Sequence, residues 1–447
     1  MARDVPDHFD TAALIAASRP KDPDLHLSGR MVLAAETAAL YALPETEVAA
    51  LADAMAKGQG GAALERLGLT LAPAAPPVPE ITPGPVRALA LTVSQSCNLA
   101  CGYCYASGGS FGGPDTRMDW PVAQKAIDRL IGDTPPGGSV KIAFMGGEPM
   151  LARDLIRQSV DHANRRAAAR AVSVGFSITT NGTLLRDDDA EFLAQNRFAV
   201  TVSLDGAKAT NDRLRPLRGG QGSFALVARG LAPLVARADR ISLSARVTVT
   251  PDNLDLAETV GALADLGFQS VGASPMINAP TGKGTLQGDD FHRLLAAMVE
   301  CGQDWLTATL AGRAHPFANL ATALTELHRG KVRSHGCGAA RDYLSVDASG
   351  SYSACHRFVN DPLGRMGDLV SGVDDRARAD FLTERQVEAQ EACSKCWARR
   401  LCGGGCHQEV LHVGRPACDY VRGWLHFAIS AYDRMMTERP DWFDAIG

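Results

Sequence analysis

Ten of the chain's eleven cysteines fall in two groups, three between residues 97 and 104 and seven between 337 and 418. That crowding limits the fold more than any other feature. A segment dense in Cys and Gly has too few apolar side chains for a large core and needs a metal group to hold it. The count is odd, and the start, Met1-Ala-Arg-Asp-Val-Pro-Asp-His8, lacks the apolar stretch of a secretory leader. A disulfide framework is therefore not expected, and closely spaced reduced thiols read as metal ligands in a cytoplasmic protein. No apolar run reaches the length of a membrane span. A net charge of −5 with Lys and Arg scattered gives no footprint for nucleic acid.

Between Val86 and about Asn278, apolar runs of strand length alternate with helical periodicity. Strands are expected at 88–94, 140–145, 173–179, 199–204, 241–249 and 270–275, with helices near 119–132, 152–170, 187–195, 223–238 and 254–266. That alternation makes parallel βα units, in a doubly wound sheet or a barrel. Residues 1–70 read as a small α+β unit, with short strands around Leu25–Leu33 and Thr37–Leu43 and a helix over Glu45–Lys57. Residues 71–85 form a Pro-rich linker, 86–285 the alternating domain, 286–335 a helical connector and 336–447 the Cys-rich domain. Cys301, in the connector, reads as a buried thiol.

Cys97-x3-Cys101-x2-Cys104 directly follows the first strand of the alternating region. Structural zinc sites use four closed ligands and typically pair cysteines from two knuckles. Three thiolates this close can instead cap three irons of a four-iron cube and leave the fourth free. The motif resembles that of the radical S-adenosylmethionine superfamily. The resemblance implies a partial (β/α)6 parallel barrel whose free iron chelates the amino and carboxylate groups of S-adenosylmethionine. Reductive cleavage of that cofactor gives a 5′-deoxyadenosyl radical. Three further motifs end the next three strands: Gly146-Gly147-Glu148-Pro149, Thr180-Asn181-Gly182 and Ser203-Leu204-Asp205-Gly206, with Arg215 twelve residues past Ser203. Singly each could be a loop or a turn. Together they share the face where parallel barrels and open α/β sheets place their active sites. By resemblance, Gly146, Gly147 and Glu148 bind the cofactor's amino group, and Ser203 and Arg215 its carboxylate. Asp205 lies near the ribose, Tyr103 near the adenine, and Asn181 joins the same set.

In the second group the pattern is Cys337-x12-Gly350-x4-Cys355, then Cys393-x2-Cys396-x5-Cys402-x3-Cys406, then Cys418. Alone, Cys393 and Cys396 could be half of a zinc ribbon. The whole resembles the SPASM extension of radical maturases. That resemblance implies an auxiliary cluster on Cys393, Cys396, Cys402 and Cys418. It implies another on Cys337, Cys355 and Cys406, whose fourth iron is open to a substrate thiolate or a further ligand. The total is three [4Fe-4S] clusters. Tyr343–Val346 and Tyr352–Cys355 read as a β-hairpin that positions Cys355.

Two stretches narrow the resemblance, Cys104–Gly113 with Met118 downstream, and Cys355-His356-Arg357-Phe358-Val359 followed by Met366-Gly367-Asp368. They look like the peptide thioether maturases, most like the group that matures quinohemoprotein amine dehydrogenase by joining Cys sulfur to methylene carbons of acidic residues. A small Cys-containing protein or peptide is the implied substrate, with flavodoxin or ferredoxin as electron donor. The rivals are maturases of other Cys-rich precursors and the anaerobic sulfatase maturases, which oxidise Ser or Cys to formylglycine. The latter place Asp directly after the cysteine matching Cys355; here His356 stands there, a residue whose ordinary pKa suits a catalytic base. A plain iron–sulfur electron carrier would not need Gly-Gly-Glu and Ser-Leu-Asp at successive strand ends. The N-terminal unit resembles the peptide-recognition modules fused to such maturases, which bind a leader by strand addition to a sheet edge.

Overall fold

The computed structural model describes residues 10–69 and 80–444; the start at Met1–His8 and the linker stretch Leu71–Pro79 lie outside the described residues. β1 (Leu25–Ser28) and β2 (Met31–Ala34) form a hairpin, and β3 (Ala39–Ala42) adds antiparallel to β2. The run Leu25–Leu33, which reads as one strand in sequence, is broken by Gly29, whose φ of +58° turns the chain back. Helices Glu45–Ala56 and Gly60–Arg66 complete a small core with Leu25, Val32, Leu43, Leu51 and Leu64. A further helix, Thr11–Ser18, carries no periodic signal; Asp10 caps it by accepting from the N–H groups of Ala12 and Ala13.

The main sheet has ten strands. β4 (Ala88–Ser94), β5 (Ser139–Gly146), β6 (Ser173–Thr180), β7 (Ala199–Ser203), β8 (Ser242–Val249) and β9 (Val271–Pro275) are parallel neighbours in chain order, with helices between them. They are the six strands expected from periodicity. β4 is buried along nearly its whole length, as a parallel strand covered on both faces must be. Phe144, Phe176 and Phe198 stack across β5, β6 and the entry to β7, with ring centroids 6.4, 6.0 and 5.3 Å apart.

The Cys-rich region does not fold apart from this sheet. β10 (Tyr343–Val346) pairs parallel with β4, Tyr343 opposite Ala88 and Val346 opposite Leu91. β11 (Ser351–Ser353), β12 (Arg365–Asp368) and β13 (Gly372–Val373) then extend the sheet antiparallel. The sheet therefore crosses the boundary that composition suggests near residue 336. Nor does the region lack a core: Phe358, Phe381, Leu382 and Trp397 are buried within the main one. Its long helix, Cys418–Glu438, packs on Asp290–Leu310, which carries the buried Cys301, and on Ala318–His328. Among the described residues no helix is long and apolar enough to cross a membrane.

The N-terminal sheet is fastened to this C-terminal region. His26 stacks on Trp397 with centroids 3.5 Å apart, and its Nε2 lies 2.8 Å from His426 Nδ1. The Ser28 hydroxyl donates to the His426 carbonyl, Arg30 pairs with Asp433, and Trp397 Nε1 donates to the Ser18 carbonyl. Arg399 and Arg400 both reach Glu36. Burial lowers the pKa of His26 to about 2 and of His426 to about 4, so both are neutral when docked. Released, each returns toward 6.5. The released state then binds protons that the docked state refuses, so docking weakens as pH falls below about 6.5 and is unaffected above it. Limited proteolysis should therefore cut within residues 10–69 faster near pH 5.5 than near pH 7.5 while the barrel is cut equally at both. His26→Phe, which keeps a ring on Trp397 but no titrating nitrogen, should shrink the difference; an undiminished difference would refute the assignment.

Candidate functional site

The first cysteine group begins where β4 ends, on a loop clamped from two sides. The Ala100 N–H donates to Pro216 O and the Arg218 N–H to Asn98 O. The Asn98 side chain meets Thr183 at 2.8 Å and Asn181 at 2.9 Å, and Asn181 Nδ2 lies 3.7 Å from Cys97 Sγ. The glycine pair ending β5 runs directly against this loop. A Cβ on Gly147 would come within 2.4 Å of Ser96 O, and one on Gly146, at φ +151°, within 2.2 Å of Ser94 O. Only glycine permits that approach. Glu148 is fully buried, and its carboxylate accepts from the Met150 N–H at 3.0 Å, the Thr180 hydroxyl at 2.6 Å and the Asn181 N–H at 2.7 Å. It braces the ends of β5 and β6. Burial pushes its pKa up against those donors, and pushes the Cys97 thiol up to about 11.

Across the loop, Tyr103, Asp205 and Arg215 form a buried group. The Tyr103 hydroxyl donates to Asp205 Oδ2 and accepts from Arg215 Nη1 at 2.5 Å, while Asp205 Oδ1 accepts from the Thr248 N–H at 2.9 Å. Burial raises the Cys101 pKa, and the Arg215 charge opposes the rise. Ser203, the last residue of β7, stands opposite Arg246 in register, outside this hydrogen-bonded group. The predicted residues thus fall into two neighbouring sets, Cys97 with Glu148 and Asn181, and Cys101 with Tyr103, Asp205 and Arg215.

The second group is shaped by two turns. Between β10 and β11, Asp347 Oδ1 accepts from the Ser349 N–H, the Ser349 hydroxyl and the Ser351 N–H, closing the hairpin that delivers Cys355. Gly403, Gly404 and Gly405 all have positive φ, and a Cβ on Gly403 would meet the His335 carbonyl at 2.4 Å. This left-handed run folds Cys402 and Cys406 back toward the Cys337 segment. Cys396, Cys402 and Cys418 lie close enough to Cys393 to raise its pKa, and the Arg415 charge opposes the rise. Cys337 and Cys406 act likewise on Cys355, beside Arg357. Burial is the larger cause, taking Cys393 to about 11 and Cys355 to about 12.

His356 sits between the two cysteine groups. Its Nδ1 is 3.0 Å from the Tyr343 hydroxyl and its ring 5.9 Å from that of Tyr105, which follows Cys104. Burial and the Arg357 charge lower its pKa to about 4, well under the near-neutral value of a free histidine. Arg357 donates from Nη1 to Glu409 at 2.8 Å and lies over the Tyr105 ring at 5.2 Å. Sequence reasoning missed Thr180, Tyr105, Arg357 and Glu409; adjacency to a cysteine motif was the available signal for Tyr105 and Arg357, and nothing local marks Glu409.

The donors around the second group ask for a partner. Among the described residues ten buried side-chain polar atoms have no hydrogen-bond partner, and six of them are guanidinium nitrogens of Arg357, Arg385, Arg400 and Arg422, with the ring of His407 beside them. A buried donor left unpaired costs about 1–3 kcal/mol. Thiolate and sulfide acceptors would satisfy such donors, so the residues fit iron–sulfur clusters. Among the described residues no three His, Cys, Asp or Glu side chains converge on a point as one metal ion requires. Thiolates on separate irons of a cube need no such convergence.

Residues 91–263 match the family model described as the Radical SAM superfamily. The serine-type anaerobic sulfatase-maturating enzyme of Klebsiella aerogenes is 26% identical over 346 residues, covering 74% of this chain and 82% of that protein. A mycofactocin maturase of Mycobacterium ulcerans is 28% identical over 338 residues, covering 72% of this chain and 84% of that one. Among solved structures, native anSMEcpe with bound AdoMet and Cp18Cys peptide superposes with a TM-score of 0.66 at 21% identity, covering 79% of this chain and 99% of that one. The fold is the radical SAM fold with a Cys-rich C-terminal region, residues 91–263 carry the match to that superfamily, and the chain is an enzyme.

Gly147→Ala tests how the first cysteine loop is built. The variant should lose iron relative to the parent and all S-adenosylmethionine cleavage, while its circular dichroism stays that of the parent. Full iron content with full cleavage would show that the close approach at Ser96 is dispensable.

Proposed function

We propose that this enzyme is a maturase that binds a peptide or small protein and oxidises one of its side chains, using S-adenosylmethionine and three [4Fe-4S] clusters. The observation that carries the reading is the contact between the loop that follows Cys104 and the segment that follows Cys355. The ring of Tyr105 lies 5.9 Å from that of His356, and the Asn360 side chain donates to the Phe111 carbonyl. Peptide-modifying relatives that match over nearly three quarters of the chain support it.

In this reading Cys97, Cys101 and Cys104 hold the first cluster, Cys393, Cys396, Cys402 and Cys418 the second, and Cys337, Cys355 and Cys406 the third. When bound, the reduced first cluster and S-adenosylmethionine supply a carbon-centred radical able to take a hydrogen atom from substrate. The glycine pair Gly146-Gly147 leaves room for the cofactor's amino end, and Glu148 provides negative charge while keeping the strand ends braced. Arg215 and Ser203 take the carboxylate, Arg215 exchanging its Tyr103 contact for a stronger ionic one. Tyr103, Asp205 and Asn181 line the remaining sides. His356, neutral at neutral pH, receives the substrate proton and passes it on.

The product is open between two readings. Formylglycine formation is supported by the extent of the likeness to sulfatase-maturating enzymes. Thioether formation is favoured by His356 standing where the sulfatase maturases resembled here carry Asp. The deciding measurement is the intact mass of a small Cys-rich polypeptide encoded beside this enzyme, after anaerobic reaction with S-adenosylmethionine and reductant. Loss of two hydrogens together with an alkylatable thiol means a thioether; a new hydrazide-reactive aldehyde means formylglycine. An unmodified polypeptide despite cofactor cleavage would reject that substrate. His356→Gln should cut product formation at least tenfold and leave uncoupled cofactor cleavage in place; near-normal product would remove the residue from the mechanism.

The N-terminal unit is assigned to substrate recognition. β1 lies against the helix Cys418–Glu438, which leaves β3 as the sheet edge where a substrate segment can add as a strand. Amide exchange of residues 39–42 should slow when substrate binds, and unchanged exchange would refute the assignment.

A further inference from the structure

Arg357 is the orphan donor nearest the junction of the two cysteine groups. Its Nη1 is committed to Glu409 at 2.8 Å, while Nε and Nη2 are buried without a partner. Those two nitrogens form the side edge of a guanidinium, the same edge by which Arg439 grips both carboxylate oxygens of Asp441 at 3.1 Å. The guanidinium feels the Cys355 and Cys406 thiols and the Tyr105 ring, and the backbone N–H of Arg357 already bonds the Cys355 thiol. Glu409 fixes one end of the cation, Tyr105 covers its face, and the free edge remains for an acceptor within the fold. Solvent does not reach that edge. A dissolved substrate group is thereby disfavoured as the acceptor, and the adjacent thiolate sulfurs and their sulfides are favoured.

We propose that the Nε/Nη2 edge of Arg357 donates to sulfur of the cluster held by Cys337, Cys355 and Cys406, raising its reduction potential. The inference rests on the three-cluster reading. A buried guanidinium is charged at every working pH, and hydrogen bonds to sulfur together with nearby positive charge stabilise the reduced form of a cluster. Arg357 is thus a positioning residue acting through the cluster, distinct from His356 beside it.

The test is an EPR-monitored redox titration of anaerobically reconstituted full-length protein in a Cys97→Ala/Cys101→Ala/Cys104→Ala background, so that only auxiliary signals remain. Arg357→Gln should lower the potential of one auxiliary cluster by about 59 mV, a tenfold shift of a one-electron equilibrium, and leave the other where it was. Glu409→Gln, which removes the anion and keeps the guanidinium, should raise the same potential. Arg357→Lys, which keeps the charge without the two-pronged edge, should fall between parent and Arg357→Gln; it serves as the reading if Arg357→Gln loses iron. Unchanged potentials with iron retained would overturn the inference alone. So would an Arg357→Gln enzyme, in the otherwise unaltered chain, whose only change is a higher KM for the polypeptide, since the edge would then hold a substrate carboxylate. About four irons per unaltered chain in place of about twelve would overturn the three-cluster reading itself.

Discussion

The register of β10 on β4 is the constraint on which the site depends. β4 carries the first cysteine loop at its carboxyl end, and β10 opens the hairpin that carries Cys355. Because the strands are parallel, both end at the same edge of the sheet; antiparallel β11 then carries the chain back, so Cys355 lies past Tyr343 toward the start of β4, where Tyr105 of the first loop meets His356. A slip of one residue would move Cys355 by about 3.3 Å and reverse the facing of every β10 side chain. Several polar contacts hold the register. The N–H groups of Arg87 and Ala88 share the Asp342 carbonyl, and the Ala348 N–H donates to the Gln95 side chain. Arg378, almost fully buried, donates to the carbonyls of Gly84, Ala340 and Arg341 and so ties the lead-in of β4 to that of β10.

Around that register the C-terminal region holds an imbalance. The Cys355 and Cys393 thiols are buried and pushed toward the neutral form, yet arginines and a histidine around them hold donors that lack acceptors. Either feature alone would destabilise a fold. Each is what the other needs once a metal draws the thiols into thiolates, because binding removes the protons and supplies acceptors together. In the cluster-bearing reading, folding of this region and cluster assembly would be one process. The N-terminal unit is drawn into it, since Trp397, Arg399 and Arg400, which hold that unit, lie between Cys396 and Cys402. A change in the loop joining two cluster ligands is felt at the sheet edge assigned to substrate.

What could be read from sequence divides along physical lines. The six parallel strands were legible because each is a local apolar run closed by a helical period, and the strand-end motifs followed from their position. The two cysteine groups were legible from their spacing, whereas the division of the second into ligand sets rests on the resemblance. The pairing of β10 with β4 was not, since it joins segments far apart in the chain through backbone hydrogen bonds that any residue can make. The docking of His26 on Trp397 was hidden for the same reason, both partners reading as ordinary buried aromatic rings. The split of Leu25–Leu33 into a hairpin hangs on the positive φ of Gly29, in a stretch whose apolar pattern runs through the turn. Arg357 was passed over because an arginine beside a motif looks like surface charge until its partners are known.

In the proposed reading the strand-end motifs would generate and aim the radical, which leaves the small volume between the cysteine groups to separate one product from another. Three side chains from distant segments meet there: Tyr105 from the first loop, Tyr343 from β10 and His356 after Cys355. An acid in the place of His356 would be charged at neutral pH and ready to take a proton. The buried His356 is neutral, and the Arg357 charge next to it opposes protonation. A proton taken there is held weakly, and the Tyr343 hydroxyl against Nδ1 gives it an adjacent site to move to. In the proposed reading, the Arg357 charge beside His356 would tune the proton step as much as the identity of the base does.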